Sequence, residues 1–271
     1  MRWADVAEAL AECDPAAKCR RVDAIWDSVS DDCSDDRRFE EDSRLDLAPT
    51  EAPPAAGRPE HPVLVAPAAL ARRGLGSPAG RVALLHAVAH IEFNAINLAL
   101  DAALRFAGMP PGFYRDWLSV AYDEARHFRL LETRLHELDA AYGDLPAHNG
   151  LWEMAEKTAH DPMVRMALVP RVLEARGLDV TPGMIEKLRN AGDHSSVACL
   201  EIILDEEVRH VAIGSRWFRQ LCEQRGLEPE STFRALLQEH FAGGLRGPFN
   251  HPARLAAGFT ESELEELEIA S

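Results

Sequence analysis

Several familiar signatures are missing from this chain, and each gap removes a class of function. The five cysteines are Cys13, Cys19, Cys33, Cys199 and Cys222, an odd set with no Cys-x-x-Cys pair. That pattern argues against a disulfide framework, a zinc ribbon or a rubredoxin-type iron site, and the thiols read as reduced structural residues. No apolar run reaches the roughly 18–20 residues of a membrane span. The opening Met-Arg-Trp-Ala-Asp-Val-Ala-Glu lacks the apolar stretch of a signal peptide, so a cytoplasmic protein that does not enter membranes is expected. Positive charge is scarce, with 29 Lys and Arg against 45 Asp and Glu and a net charge of −16. A nucleic-acid binder needs a basic face that displaces counterions. Nucleic acid is therefore not the expected partner, although the charge does not exclude a local basic groove. No strand signal of any length is present.

What remains is ordinary for a globular protein: 46% hydrophobic and 27% charged residues. The length of 271 residues suits one large domain or two small ones. Residues 2–12 and 15–29 read as short amphipathic helices, the second opened by Asp14-Pro15. Residues 31–62 are acidic and then proline-rich, an irregular segment, and the run Asp31-Asp32-Cys33-Ser34-Asp35-Asp36 reads as solvated surface. One or two helical turns are expected over 67–73. From Ser77-Pro78 a long helix runs to about residue 107. A second follows the Gly108-Met109-Pro110-Pro111 turn and runs to about Ala141. The third is broken: a piece over 151–159, a restart at Asp161-Pro162, a kink or lost hydrogen bond at Pro170, an interruption at Gly177 and another restart at Thr181-Pro182. The fourth runs from Asp193 to about Arg225. The tail holds a helix near 231–242 and a last one opened by the capping-box pattern Thr260-Glu-Ser-Glu263. The expected organisation is therefore an N-terminal part over 1–76, an all-α antiparallel four-helix body over 77–226, and a C-terminal helical extension over 227–271.

Two near-copies carry the chemistry: Asp123-Glu124-Ala125-Arg126-His127 and Glu206-Glu207-Val208-Arg209-His210. Positions i and i+3 lie about 60° apart on one helix face, so Glu124 projects with His127, and Glu207 with His210. A lone Glu-x-x-Arg-His is most often a solvated charged strip. Here, however, each copy has a glutamate one helical hairpin upstream, Glu92 by 32 residues and Glu174 by 33. At about 1.5 Å per residue, the short turn of the first hairpin brings Glu92 level with Glu124 and His127. The second hairpin repeats this less neatly, and Glu153 and Glu156 are alternatives to Glu174 on the broken helix. Four glutamates would balance two divalent cations, and oxygen and imidazole donors suit iron or manganese. Without metal, carboxylates converging in a bundle core would repel and lose hydration. Asp123 and Arg126, and likewise Glu206 and Arg209, lie beside the ligand strip. The acids are expected to accept the outer N–H of a ligating histidine, with the arginines holding them. The remaining histidines, His86 and His90 among them, read as packing or surface, and Tyr114 and Tyr122 as structural.

At these residues the sequence resembles the ferritin-like superfamily of di-iron carboxylate proteins. More closely, it resembles a bacterial ferritin-like branch known by a domain-of-unknown-function label. The stretches concerned are His90-Ile-Glu92, Asp123-Glu-Ala-Arg-His-Phe128, Glu174-Ala-Arg-Gly-Leu-Asp179 and Asp205-Glu-Glu-Val-Arg-His-Val-Ala-Ile-Gly214. The Asp-Glu-x-Arg-His form is also similar to that of di-iron hydroxylases, including bacterial multicomponent monooxygenases and tRNA hydroxylases. The second copy departs from it, with Glu206 in place of Asp. Rubrerythrins share the bundle, but the cysteine-bound iron module is missing here. The resemblance implies a ferritin-like four-helix bundle and two iron ions, with Mn/Fe or Mn as variants. The ligands would be Glu92, Glu124, His127, Glu174, Glu207 and His210. One such bundle hosts several reactions. The expected function is an O₂-activating oxygenase or oxidase acting on an organic substrate and fed by an external electron donor. The alternatives are a ferroxidase, iron-storage or peroxide-scavenging protein, and a bundle with a structural metal. A homodimer is compatible with the sequence, and a tRNA substrate stays open.

Overall fold

The computed structural model describes residues 1–30, 52–71, 74–241 and 244–269. The acidic run Asp31–Asp36 and most of the irregular segment expected over 31–62 lie outside these. Among the described residues the chain is helical, with a single isolated bridge between Leu64 and Ala147. It divides into two compact units, Met1–Trp152 and Glu153–Ser271.

In the first unit, α1 (Trp3–Ala11) and α2 (Pro15–Ser30) precede a long hairpin of α3 (Pro78–Arg105) and α4 (Pro111–Glu137). Local chemistry fixes the starts. Asp14 accepts the Ala17 N–H at 2.7 Å, and Ser77 accepts that of Gly80 at 3.1 Å ahead of Pro78. Each cap satisfies an amide the first turn cannot pair. Helix α4 ends at Glu137, four residues before the expected stop at Ala141. Asp139 takes a left-handed φ of 55° there, a conformation that closes helices and that short acidic side chains tolerate.

Helix α3 is the core element. Leu85, Ala89, Phe93, Ile96, Leu100 and Leu104 are buried along it. Its length and composition would also fit a membrane span, but 72% of the apolar window is buried inside the protein. Helix α1 packs on α3, and α2 on α4. Lys18 of α2 is fully buried and acts as a clip. Its Nζ donates to the carbonyls of Ala9 and Leu10 at 2.9 and 2.7 Å and to Asn97 Oδ1 at 2.7 Å. It thereby satisfies carbonyls at the end of α1 and ties both short helices to α3. Arg129 of α4 makes a two-pronged pair with Asp23 of α2 at 2.7 and 3.1 Å.

The second unit is built on a broken helix and its return partner. After α5 (Gly150–Lys157), α6 (Pro162–Leu168) opens on Asp161, which accepts the Met163 N–H at 2.7 Å. A π-helical segment, Val169–Glu174, follows and continues into α7 (Ala175–Asn190). The turn at Gly192 leads to α8 (His194–Gln224), capped by Asp193 accepting from Ser196 N at 3.1 Å. Helices α9 (Pro229–His240), α10 (His251–Ala256) and α11 (Glu261–Ile269) complete it. The expected capping box at α11 is present in both directions. Glu263 N donates to Thr260 Oγ1 at 3.1 Å, and Thr260 N to Glu263 Oε2 at 3.0 Å.

The interruption expected at Gly177 and Pro182 does not occur, and α7 runs through both. Proline has no N–H to give the carbonyl four residues back, here that of Leu178. Asn250 Nδ2 donates to that carbonyl instead, at 3.0 Å. The same segment is held by a buried ion pair in which Arg254 grips Asp179 at 2.9 and 2.8 Å. The break at Pro170 does occur, as a π turn rather than a kink: the Ala175 N–H bonds the carbonyl of Pro170, five residues back.

Candidate metal centre

In the α3–α4 hairpin, Glu92 stands 13 residues before the last residue of α3, and Glu124 stands 13 after the first of α4. Equal distances from a short turn place the two at one height. The structure brings the side chains together. His127 Nδ1 lies 3.2 Å from Glu92 Oε2 and 3.3 Å from Glu124 Oε2. One ligand atom from each of the three residues falls within 4.8 Å of the other two. Exposure is 2% for Glu92, 1% for Glu124 and 0% for His127.

Electrostatics shows what this packing costs the protein without a cation. Burial, and then the neighbouring Glu124 charge, push the Glu92 carboxyl well above the ordinary carboxylate range. Burial works against a charge on His127, but hydrogen bonds and attraction from Glu124 and Glu92 overcome it and raise the imidazole to about 11. Protons thus stand in for positive charge among donors that, deprotonated, are two hard oxygen ligands and one imidazole. That donor set fits iron or manganese.

The second unit holds the other three candidates. Glu207 and His210 share a face of α8, with His210 Nδ1 3.8 Å from Glu207 Oε2. His210 is fully buried, and Glu174 is only 9% exposed. The height of Glu174 follows from a contact further along the hairpin. A Cβ placed on Gly214 would fall 2.3 Å from Pro170 Cγ and 2.4 Å from its Cβ, so α8 touches the π segment at that point. One turn towards the hairpin loop from Pro170 is Glu174, and one turn towards it from Gly214 is His210. Antiparallel register therefore sets Glu174 level with His210, as Glu92 is set level with His127. The alternatives Glu153 and Glu156 are both exposed, whereas Glu174 is buried.

The neighbouring charges are more open. Arg126 Nη2 lies 3.9 Å from Asp123 Oδ1, with side-chain exposures of 38% and 18%. On α8, Arg209 is exposed and Glu206 half-buried.

His86 and His90 are structural, as expected. His86 Nε2 accepts the Gly143 N–H at 2.9 Å. His90 bonds the Tyr142 hydroxyl through Nδ1 at 2.9 Å and faces the His148 carbonyl through Nε2 at 3.2 Å. Tyr114 donates to the Phe106 carbonyl at 3.1 Å, and Tyr122 stacks on Trp26 at 5.9 Å.

Sequence reasoning missed two residues of the second unit, Gly214, which lies against Pro170, and the buried Arg171. Gly214 had a signal, as the one glycine in the Val-Ala-Ile-Gly214 run that follows His210. Arg171, fully buried in the π segment, had only its place beside Pro170.

A family described as "Protein of unknown function (DUF455)" matches residues 11–265. A protein of Haemophilus influenzae named "Uncharacterized protein" is 43% identical over 270 residues, covering 97% of this chain and 92% of the relative. No solved structure matches. A match over nearly the whole length, together with a full-length relative, establishes that the chain belongs to the DUF455 family.

Proposed function

We propose that the two half-sites, Glu92/Glu124/His127 and Glu174/Glu207/His210, join in a ferritin-like four-helix bundle to hold two iron ions, with manganese as a variant, and that the protein is an O₂-activating oxygenase or oxidase for an organic substrate. The observation that carries this reading is the buried cluster of Glu92, Glu124 and His127, whose ligand atoms lie within 4.8 Å of one another. Two carboxylates and an imidazole sealed from water are costly unless a cation compensates them. The equivalent spacing in the second hairpin supports a second, matching half. Six such ligands are the set used by ferritin-like di-metal bundles, a Glu from each of two helices and a Glu-x-x-His from each of the other two.

When bound, two ferrous ions would supply the electrons that reduce O₂. The residues of this chain hold the charge and exclude water. The glutamates offset the metal charge, and the histidines complete the coordination. Asp123 and Glu206 would orient the imidazoles with support from Arg126 and Arg209. An external donor would restore the reduced state between turnovers, since the chain has no cysteine-bound redox module.

The oxygenase reading is preferred to storage because helical segments and long connections flank the hairpins on both sides, material that can shape a substrate pocket. Rapid mixing of the ferrous-loaded protein with O₂ separates the two. An oxygenase gives one fast absorbance change and then stops, keeping its metals. Sustained oxidation of many iron ions per chain, with a growing mineral, would establish the ferroxidase or storage role instead.

A further inference from the structure

The π segment Val169–Glu174 ends on a proposed ligand, its second residue is a proline, and its third is an arginine. Arg171 is fully buried. Its Nη2 donates to Glu263 Oε1 at 2.5 Å. Its guanidinium carbon lies 4.1 Å from the ring centroid of Phe233, 4.5 Å from that of Phe259 and 4.9 Å from that of Phe218. Stacking on aromatic faces stabilises a cation; burial holds the guanidinium below its ordinary value, and Glu263 offsets part of that effect. The partner is itself fixed, since the other oxygen of Glu263 accepts the Thr260 N–H at the start of α11. One carboxylate therefore caps the last helix and locks Arg171.

We propose that Arg171, held by Glu263, is a positioning residue that keeps the π turn in place and so aims Glu174 into the metal site. The proposal rests on the metal-site reading above. In an α-helix, residues three apart share a face, so Arg171 and Glu174 would project the same way. A π turn closes its hydrogen bond over five residues instead of four, so each residue rotates the chain by less than the about 100° of an α-helix. Residues three apart then lie further from a common face. Arg171 enters the aromatic cage, while Glu174 stays level with His210. Pro170 keeps the wide turn seated against Gly214, where no Cβ fits. Loss of the Arg171 anchor lets the segment relax towards α geometry and turns Glu174 away.

The test is an anaerobic titration of the metal-free full-length protein with cobalt(II), followed by its visible spectrum and bound stoichiometry, with circular dichroism and urea midpoints measured alongside. Wild type is expected to bind about two cobalt ions per chain. In Arg171→Met and in the milder Glu263→Gln, the second ion is expected to bind at least tenfold more weakly, with an altered spectrum, in protein that remains helical. Glu174→Ala should reproduce the same defect. If Arg171→Met does not fold, Glu263→Gln carries the test, because Gln keeps the size of the side chain but has one acceptor oxygen in place of two and no charge, so it cannot hold both Arg171 and the Thr260 N–H as the carboxylate does. Folded variants that bind two ions with wild-type affinity and spectrum would overturn the proposal, since a purely structural ion pair lowers the urea midpoint without touching the metal. Wild type that binds no cobalt would instead remove the metal-site reading, and this proposal with it.

Discussion

Glu92 and His127 share a problem that a metal ion would solve. In the metal-free protein, both are driven towards their protonated forms at neutral pH, Glu92 by burial and by Glu124, His127 by its two acidic neighbours against the opposing effect of burial. The sign of the resulting pH dependence is fixed. The folded-state value of His127, about 11, lies above its ordinary 6.5. Its contribution to stability is full below pH 6.5 and is lost as pH rises towards 11. The raised Glu92 carboxyl acts in the same direction from its ordinary 4.5 upward. Urea unfolding of the metal-free protein should therefore show a midpoint that falls between pH 6.5 and 9, and His127→Gln should flatten that slope. A midpoint that rises over this window in wild type would contradict the charge assignment. These contacts were legible in the sequence because both residues stand at matched distances from one short turn. The Arg171–Glu263 pair was not, since 92 residues separate its partners and no local pattern links them.

Among the elements, the broken helix of the second unit is where sequence and structure part. Proline at 170 and at 182 raised the same expectation of a break, yet only the first produced one. At Pro182 the unpaired carbonyl of Leu178 is satisfied by Asn250, a tertiary donor that no helix-propensity rule contains. At Pro170 the chain widens into a π turn, and α8 accommodates it by placing glycine opposite. Gly214→Ala should cost about 3 kcal/mol in urea unfolding, because a Cβ would overlap the proline ring and overpacked contacts of this kind typically cost 1–3 kcal/mol or more. A variant as stable as wild type would show that the two helices separate freely. The same register distinguishes the candidate ligands on this helix. Glu174→Ala should lower the bound metal per chain, whereas Glu153→Ala, at an exposed position, should leave it unchanged. The opposite result would reassign the ligand. The other helix starts were readable because Asp14, Ser77, Asp161, Asp193 and Thr260 cap them by local hydrogen bonds, while the end of α4 was misplaced because Asp139 closes it ahead of the expected end near Ala141.

For the whole molecule, the helical character of the described residues was evident from the absence of strand signals, and the match to the DUF455 family covers residues 11–265. The charge of −16 is partly explained by function in the proposed reading, since four of the acids would be neutralised by bound cations. The most direct test of that reading is the metal content of the protein itself. Full-length chain, reconstituted anaerobically with ferrous iron and freed of excess, should retain about two iron ions per chain by elemental analysis, and Glu124→Ala or Glu207→Ala should abolish the pair. Wild-type protein that holds no iron or manganese, either as isolated or after reconstitution, would contradict the account at its centre.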